Sequence, residues 1–468
     1  MRGESAARVA VVGGGLAGIT TALGLADAGC RVTLVEARPR LGGLTHSFRR
    51  GDLWVDNGQH VFLRCCTSYL RLLERLGVSD QIELQPRLDV PVRSEARPGV
   101  GRLHRSGLPA PLHLSRSLLT YRWLSPTARV RAATAALALG RVDRGDRAAD
   151  DTTFGAWLAE HGQGARAVEA LWDLVGIATL NAPASEASLA LAAMVFQIGL
   201  LGEASAADIG WSRVPLQQLH GDAAEAALRE AGAEVRLGVR ANSLEATADG
   251  WVIGTTHDTR TYDDVVVAAS PVAAEALLPQ GAVASGAGWA AALGSSPILN
   301  LHVVLDRRVL HEPFVAAVDS PLQWVFDRTS QSGLGPSGGG SGGGSGGRGQ
   351  YLALSLSAAD TLVGRSVAEL RDWALPHLHR LLPESARAEV EEFFVTREPH
   401  ATFRPAPGSA LLRPPATTPL AGLHLAGAWT ATGWPATMEG AVRSGEAAIA
   451  SVSARTDLSG RPRLEVVS

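Results

Sequence analysis

The stretch RVAVVGGGLAGITTALGLADAGCRVTLVE, Arg8 to Glu36, decides the fold. After its arginine, RVAVV is continuously apolar, as a parallel strand covered on both faces requires. Three glycines follow, and Ile19 to Ala26 then carries apolar residues at helical spacing until Gly29. Cys30 to Val35 reads as a second strand that closes on Glu36. This is a βαβ unit. Its glycine turn, Gly13-Gly14-Gly15-Leu16-Ala17-Gly18, fits G-x-G-x-x-G, and Glu36 lies 18 positions beyond Gly18. A turn of this kind between a strand and a helix, with a carboxylate at that distance, is a dinucleotide-binding signature. Gly13 allows the tight turn, Gly15 lets backbone approach a pyrophosphate, and Gly18 lets helix and strand pack closely. The helix N-terminus offers unpaired N–H groups to phosphates. Glu36 is placed to accept hydrogen bonds from a ribose.

Outward from this unit, 468 residues suggest two or three domains and ample chain for a large core. The net charge of −3 argues against a nucleic-acid binder, which needs a basic face. With 46% hydrophobic and 19% charged residues, the chain is not of the disordered class. It contains no lysine, which excludes Schiff-base chemistry on the protein. Cys30, Cys65 and Cys66 cannot build a disulfide framework, and no Cys/His spacing suggests a metal site. MRGESAAR runs directly into the first strand without a secretory h-region, so a cytoplasmic protein is expected. The longest apolar run, Leu189 to Leu201, is too short to span a bilayer and contains Gln197. A buried core helix, a substrate-tunnel wall and a surface dipping into lipid all fit that run.

From about 110 to 230 the pattern is helical and alanine-rich, punctuated by prolines. Ala233 to Leu237, Trp251 to Ile253 and Val265 to Ala269 read as strands. Leu299 to Leu305, Leu322 to Phe326 and Tyr351 to Leu356 alternate as antiparallel strands do. His424 to Ala426 is a last short strand, and Met438 to Val452 a last helix. The glycine- and serine-rich stretch 332–349 reads as a flexible loop.

Two further blocks narrow the reading. Arg40-Leu41-Gly42-Gly43-Leu44 and Val55-Asp56-Asn57-Gly58-Gln59-His60 follow the acidic strand. Far downstream come Leu423-His424-Leu425-Ala426-Gly427 and Gly433-Trp434-Pro435-Ala436-Thr437-Met438-Glu439-Gly440-Ala441. The order and spacing resemble the flavoprotein superfamily of amine oxidases and phytoene desaturases. At finer grain, VDNGQHVFLRCCTSYLRLLERLG, LQWVFDRT and AGAWTATGWPATMEGAVRSG resemble the hydroxysqualene dehydroxylase family, also called squalene-associated FAD-dependent desaturases. The likeness covers nearly the whole chain apart from the glycine loop.

The resemblance implies an α/β protein with an FAD-binding Rossmann-like domain and a substrate domain of helices and a mixed or antiparallel sheet. The FAD domain would be discontinuous, 1–105, 213–285 and 417–468, with the substrate domain at 106–212 and 286–416. It implies FAD-dependent reductive removal of the hydroxyl from hydroxysqualene to give squalene, upstream of hopanoids. Gly13, Gly15, Leu16, Ala17 and Gly18 would face the pyrophosphate. Glu36, Ala37 and Arg38 would hold the adenosine end, with Ala241 near the adenine. Gly43, Leu44, Gly58, Gln59 and His60 would lie along the ribityl chain and ring, and Thr437 and Met438 at the pyrimidine end. The family usually has Ala-Gly-Asp-Trp-Thr, whose aspartate bonds the ribityl chain, where this chain has Gly427-Ala428-Trp429-Thr430. Ala428 cannot make that bond, a net loss of about 0.5–1.5 kcal/mol.

Dehydroxylation needs a hydride for an allylic carbon and a proton for the departing hydroxyl. The candidate proton donors are His60 and then Glu439, with Asn181 as a group to orient the hydroxyl. Amine oxidation ranks low, because amine oxidases of this fold place a lysine near the flavin and an aromatic residue where this chain has Thr437. A carotenoid-type desaturase is the nearest enzymatic alternative. A flavin-poor scaffold of squalene synthesis is the alternative from another class, motivated by Ala428. The expected partners are a long apolar isoprenoid substrate and an electron donor left open between NAD(P)H and another protein. Contact with the inner face of a membrane is the expectation for an enzyme drawing substrate from lipid.

Overall fold

A computed structural model describes residues 6–334 and 349–456. Most of the predicted glycine loop, 335–348, lies outside the described residues, as do the ends of the FAD domain, 1–5 and 457–468.

The opening unit forms as its sequence directs. Arg8–Val12 and Arg31–Glu36 pair in parallel, joined by the helix Leu16–Asp27. That helix ends at Gly29, whose φ of +85° lets the Cys30 N–H return to the Leu25 carbonyl at 3.0 Å. Three later segments complete a five-stranded parallel sheet. Its order is Glu234–Leu237, Arg31–Glu36, Arg8–Val12, Asp264–Val267 and Leu423–Leu425. Val9, Ala10, Val11 and Val265 to Val267 are fully buried, which explains their unbroken apolar runs. In chain order the strands run 3-2-1-4-5, so the connections change direction beside the first strand. The carboxyl ends of the first, fourth and fifth strands therefore border one crevice, where open α/β sheets bind ligands.

The substrate half is built on a seven-stranded mixed sheet. It runs Val390–Thr402, Ser296–Leu305, Gln350–Ser357, Trp324–Asp327, Phe314–Val318, Asp89–Ser94 and Val100–His104. Every neighbouring pair is antiparallel except Phe314–Val318 with Asp89–Ser94. Two expected boundaries move. Residues 89–104 belong to this sheet, not to the FAD half, so the first boundary falls before Asp89. Ile209–Ser212 pairs with both Val61–Leu63 and Ile82–Leu84, so the second lies before Ile209. The near end of the expected flexible loop is ordered too: Ser332 is buried and closes a helical turn, Thr329–Ser332.

Period-two patterning explains how Ser296–Leu305 serves two layers. Leu299, Leu301, Val303 and Leu305 pack with Leu370, Ala374 and Leu378 of the helix Val367–Leu381. Asn300 and His302 point the other way and are also fully buried. His302 stacks on Phe394 at 4.6 Å, and its ring nitrogens meet the Tyr351 hydroxyl at 2.7 Å and Thr396 Oγ1 at 2.9 Å. The run Leu189–Phe196 is buried along its whole length and is a core helix.

Burial holds the His302 and His220 pKa values down at about 3, and that of His46 at about 4, against an ordinary 6.5. Below 6.5 the unfolded chain takes up protons at these positions that the folded chain refuses, so stability falls with pH. Urea unfolding should show stability dropping from about pH 6.5 toward pH 4, by roughly 1.4 kcal/mol per pH unit for each histidine still neutral in the fold. His302→Gln should flatten that slope at the expense of stability at neutral pH.

Candidate flavin site

The crevice at the strand ends is lined by glycines because backbone meets backbone there. Gly13 has φ +117°, and a Cβ on it would stand 2.5 Å from the Ala268 carbonyl oxygen. A Cβ on Gly18 would stand 1.9 Å from the Gly13 carbonyl oxygen. A Cβ on Gly15 would meet only Gly43 Cα, at 3.9 Å, so the two glycine motifs face each other across the turn. The opening helix has no side-chain cap and no acidic residue in its first turn. Its first N–H groups are thus left for an anion. Glu36 ties this corner together, accepting from Gly14 N at 2.6 Å and Arg38 N at 2.7 Å.

The distant C-terminal block arrives at the same place. Ala426 N donates to the Val267 carbonyl at 3.0 Å, and Gly427 N to Ser444 Oγ at 2.8 Å. The last helix, Met438–Thr456, lies against the first. A Cβ on Gly445 would stand 2.6 Å from the Ala17 carbonyl oxygen, and one on Gly24 would strike Ile449. Thr437 caps the last helix, its hydroxyl accepting from Gly440 N at 3.1 Å. Arg413, buried, donates to the carbonyls of Ala428, Trp429 and Thr430 and to the Thr432 hydroxyl, fixing the loop that carries Ala428.

Between these blocks, Asp56 to His60 joins the two-stranded ribbon Ser47–Arg50 and Leu53–Asp56 to the strand Val61–Leu63, and lies against the mixed sheet on the way. Asp56 accepts from Ser47 Oγ, Leu216 N and the Arg328 guanidinium. Asn300 Nδ2 donates to the Asn57 carbonyl at 3.3 Å, and a Cβ on Gly58 would lie 3.1 Å from His60 Nε2. Gln59 and His60 then line a small cavity of about 40 Å³ with Trp211, Phe314, Phe326 and Arg328. His60 feels the charges of both Asp56 and Arg328, but burial is the largest influence and pushes its pKa down. The ring is therefore neutral near pH 7, which works against His60 as an imidazolium acid.

Two buried atoms along this strip have no hydrogen-bond partner within the protein: Gln59 Nε2 and Asn300 Oδ1. Orphaned donors and acceptors of this kind call for a polar ligand. A side-chain-free cradle at a helix N-terminus, a carboxylate at the ribose position and unpaired amides toward the mixed sheet together fit an adenine dinucleotide bearing a polar ring. Among the described residues, no group of three or more His, Cys, Asp or Glu could hold a metal ion.

The sequence matches the flavin containing amine oxidoreductase family over residues 16–452. The chain belongs to that family. It is an FAD-dependent oxidoreductase. It is 25% identical to the zeta-carotene desaturase of Synechocystis, over 96% of this chain and 97% of that one. It is likewise 25% identical to the 15-cis-phytoene desaturase of Narcissus pseudonarcissus, over 96% of this chain and 80% of that one. Among solved structures, an engineered putrescine oxidase superposes with a TM-score of 0.71 at 18% identity, covering 96% of this chain and 99% of that one. Family membership favours an enzyme over the flavin-poor scaffold raised by Ala428.

Several expected site residues stand elsewhere than their expected roles. Asn181 is the left-handed C-cap of Asp173–Leu180, with φ of +57°. Its amide donates to the Ser296 carbonyl and Thr402 Oγ1 and accepts from Ala358 N, so it is saturated and cannot orient a substrate hydroxyl. Glu439 is fully buried and accepts from Ser68 N and Tyr69 N, capping the helix Thr67–Arg75, and from Arg443. Those three donors take up both of its oxygens, so the side chain is committed to protein partners and not to a substrate hydroxyl. Ala241 pairs with Thr255 in a small antiparallel sheet. The residue set against the Glu36 strand is instead Val239, whose N–H donates to the Glu36 carbonyl at 3.0 Å. Trp429 is core, its Nε1 bonded to the Ala269 carbonyl. Arg328 was missed, although LQWVFDRT was singled out for its likeness; a buried partner for Asp56 is not visible from spacing.

Gly18→Ala should yield colourless protein, because the new Cβ collides with backbone; flavin absorbance of the purified variant reads this. Ala428→Asp should slow FAD loss on dialysis several-fold, the effect of one hydrogen bond. Unchanged dissociation would count against a ribityl contact at that position.

Proposed function

We propose that this protein reductively removes the hydroxyl of a long allylic isoprenoid alcohol, hydroxysqualene being the first substrate to test. The observation that carries the reading is the cavity beside Gly58: an aromatic wall of Trp211, Phe314 and Phe326 with one buried cation, Arg328, in a chain without lysine. Such a wall can steady positive charge at an allylic carbon. In this scheme Gly13 to Gly18, Glu36, Gly43 and Gly58 to His60 hold FAD, with Ala37, Arg38, Leu44, Gly427, Thr437 and Met438 along its edges. When bound and reduced, FAD supplies a hydride. Arg328 donates a hydrogen bond to the departing oxygen, while Asp56 fixes the guanidinium in place. His60, neutral at rest, passes a proton taken up from solvent to the hydroxyl, which leaves as water while the hydride takes its place on carbon. An external donor, NAD(P)H or a protein partner, restores the reduced state.

A second reading is supported by the carotene and phytoene desaturases that align over nearly the whole chain. There the same residues would hold FAD, whose chemistry would run in the opposite direction, taking hydride from a polyene.

Anaerobic turnover distinguishes them. Chemically reduced protein should convert hydroxysqualene to squalene, seen by mass as the replacement of a hydroxyl by hydrogen. Loss of two hydrogens from phytoene with oxidised protein, and no reaction with hydroxysqualene, would favour the desaturase. Arg328→Gln should keep its flavin yet lower kcat by about 100-fold, the scale of one charge-stabilising donor.

A further inference from the structure

Between Glu95 and Asp143 the chain carries eight arginines and no acidic residue, within a protein of net charge −3. Five of the eleven large apolar side chains exposed on the described surface fall in the same segment: Leu108, Leu112, Leu119, Val130 and Leu137. Arg116, Arg122, Arg131 and Arg141 are exposed as well. Unlike Arg97, Arg102 and Arg105, they form no ion pair among the described residues.

The two features share one face. In the helix Pro126–Leu139, Ala132, Ala135 and Leu139 are buried, while Val130, Arg131, Thr134 and Leu137 follow helical spacing along the outer side, with Arg141 just beyond. The helix is apolar inside and still partly apolar outside, which a purely aqueous neighbour does not favour. Arg129 reaches from it to the carbonyls of Leu119, Tyr121 and Leu124. This tie holds the preceding helix, Ser115–Thr120, which carries the exposed Leu119, against it. A hollow of about 600 Å³ opens at the junction, where Arg97 and Arg166 pair with Asp319 and Arg122 is left without an acidic partner.

We propose that residues 108–141 dock the protein onto an anionic lipid bilayer, with the leucines and valine in the interface and the unpaired arginines on lipid headgroups. Exposed apolar side chains ringed by arginine match the chemistry of a charged membrane surface, where burial and headgroup attraction add. Water alone, or a neutral partner, leaves four cations without counter-charge. No helix among the described residues is long and apolar enough to cross a bilayer, so the contact is peripheral on this face. None of these exposed residues is among those assigned to the flavin site, and the test needs no substrate, so it can fail without touching the proposed reaction.

The holoprotein is mixed with phosphatidylglycerol or phosphatidylcholine vesicles and floated on a density gradient. It should float with the anionic vesicles only, and less in high salt. Leu119→Ser/Val130→Ser/Leu137→Ser and Arg116→Gln/Arg131→Gln/Arg141→Gln should each lower the bound-to-free ratio by about tenfold or more, with flavin content and thermal unfolding unchanged. Wild-type protein remaining below the vesicles, equal binding to both lipids, or variants that float like wild type would overturn the proposal. So would size-exclusion chromatography showing a dimer that the leucine and valine substitutions dissociate, which would assign the face to a second copy of the chain.

Discussion

The approach of Gly18 to the Gly13 carbonyl is the constraint on which the remainder of the molecule depends. No side chain fits between the opening helix and the turn before it, so the helix sits directly at the end of the first strand. That placement leaves its N-terminal N–H groups open to the crevice. It also sets where the last helix can lie, because Gly445 and Gly24 are the points at which that helix touches the first. The two ends of the described chain thereby close on one another, and the crevice between strand ends acquires both its walls.

A second consequence concerns Asp56 to His60. This segment lies against one face of the mixed sheet, where Asn300 and Arg328 hold it. Ser296–Leu305 can receive it because alternate residues serve different layers, leucines toward the helix behind and polar groups toward the flavin half. The buried polar atoms there that find no protein partner are the counterpart of the glycine cradle: one end of the site is stripped of side chains, the other supplied with unsatisfied ones.

Much of the parallel half was legible in the sequence, because its information is local. The valine runs, Gly13 to Gly18 and Glu36 each state a conformation or a contact within about thirty residues of chain. The pairing of the Met438 block with that turn was legible only through its family likeness. Residues 89–104 were assigned to the wrong half, since a strand's sequence does not name its partner sheet. Asn181 and Glu439 looked chemical because they are polar within apolar surroundings. Their hydrogen bonds go to backbone groups brought in from other elements, and no spacing rule records those.

Arg413 has a bearing on how this site could diversify. It grips the loop of Ala428 to Thr432 chiefly through main-chain oxygens. The loop's path is thus largely indifferent to what Ala428 carries beyond its Cβ. An aspartate can be exchanged for alanine there, or back, with the scaffold unmoved, which makes this one position a tuning point at which lineages or laboratory libraries can adjust cofactor grip without redesigning the protein around it.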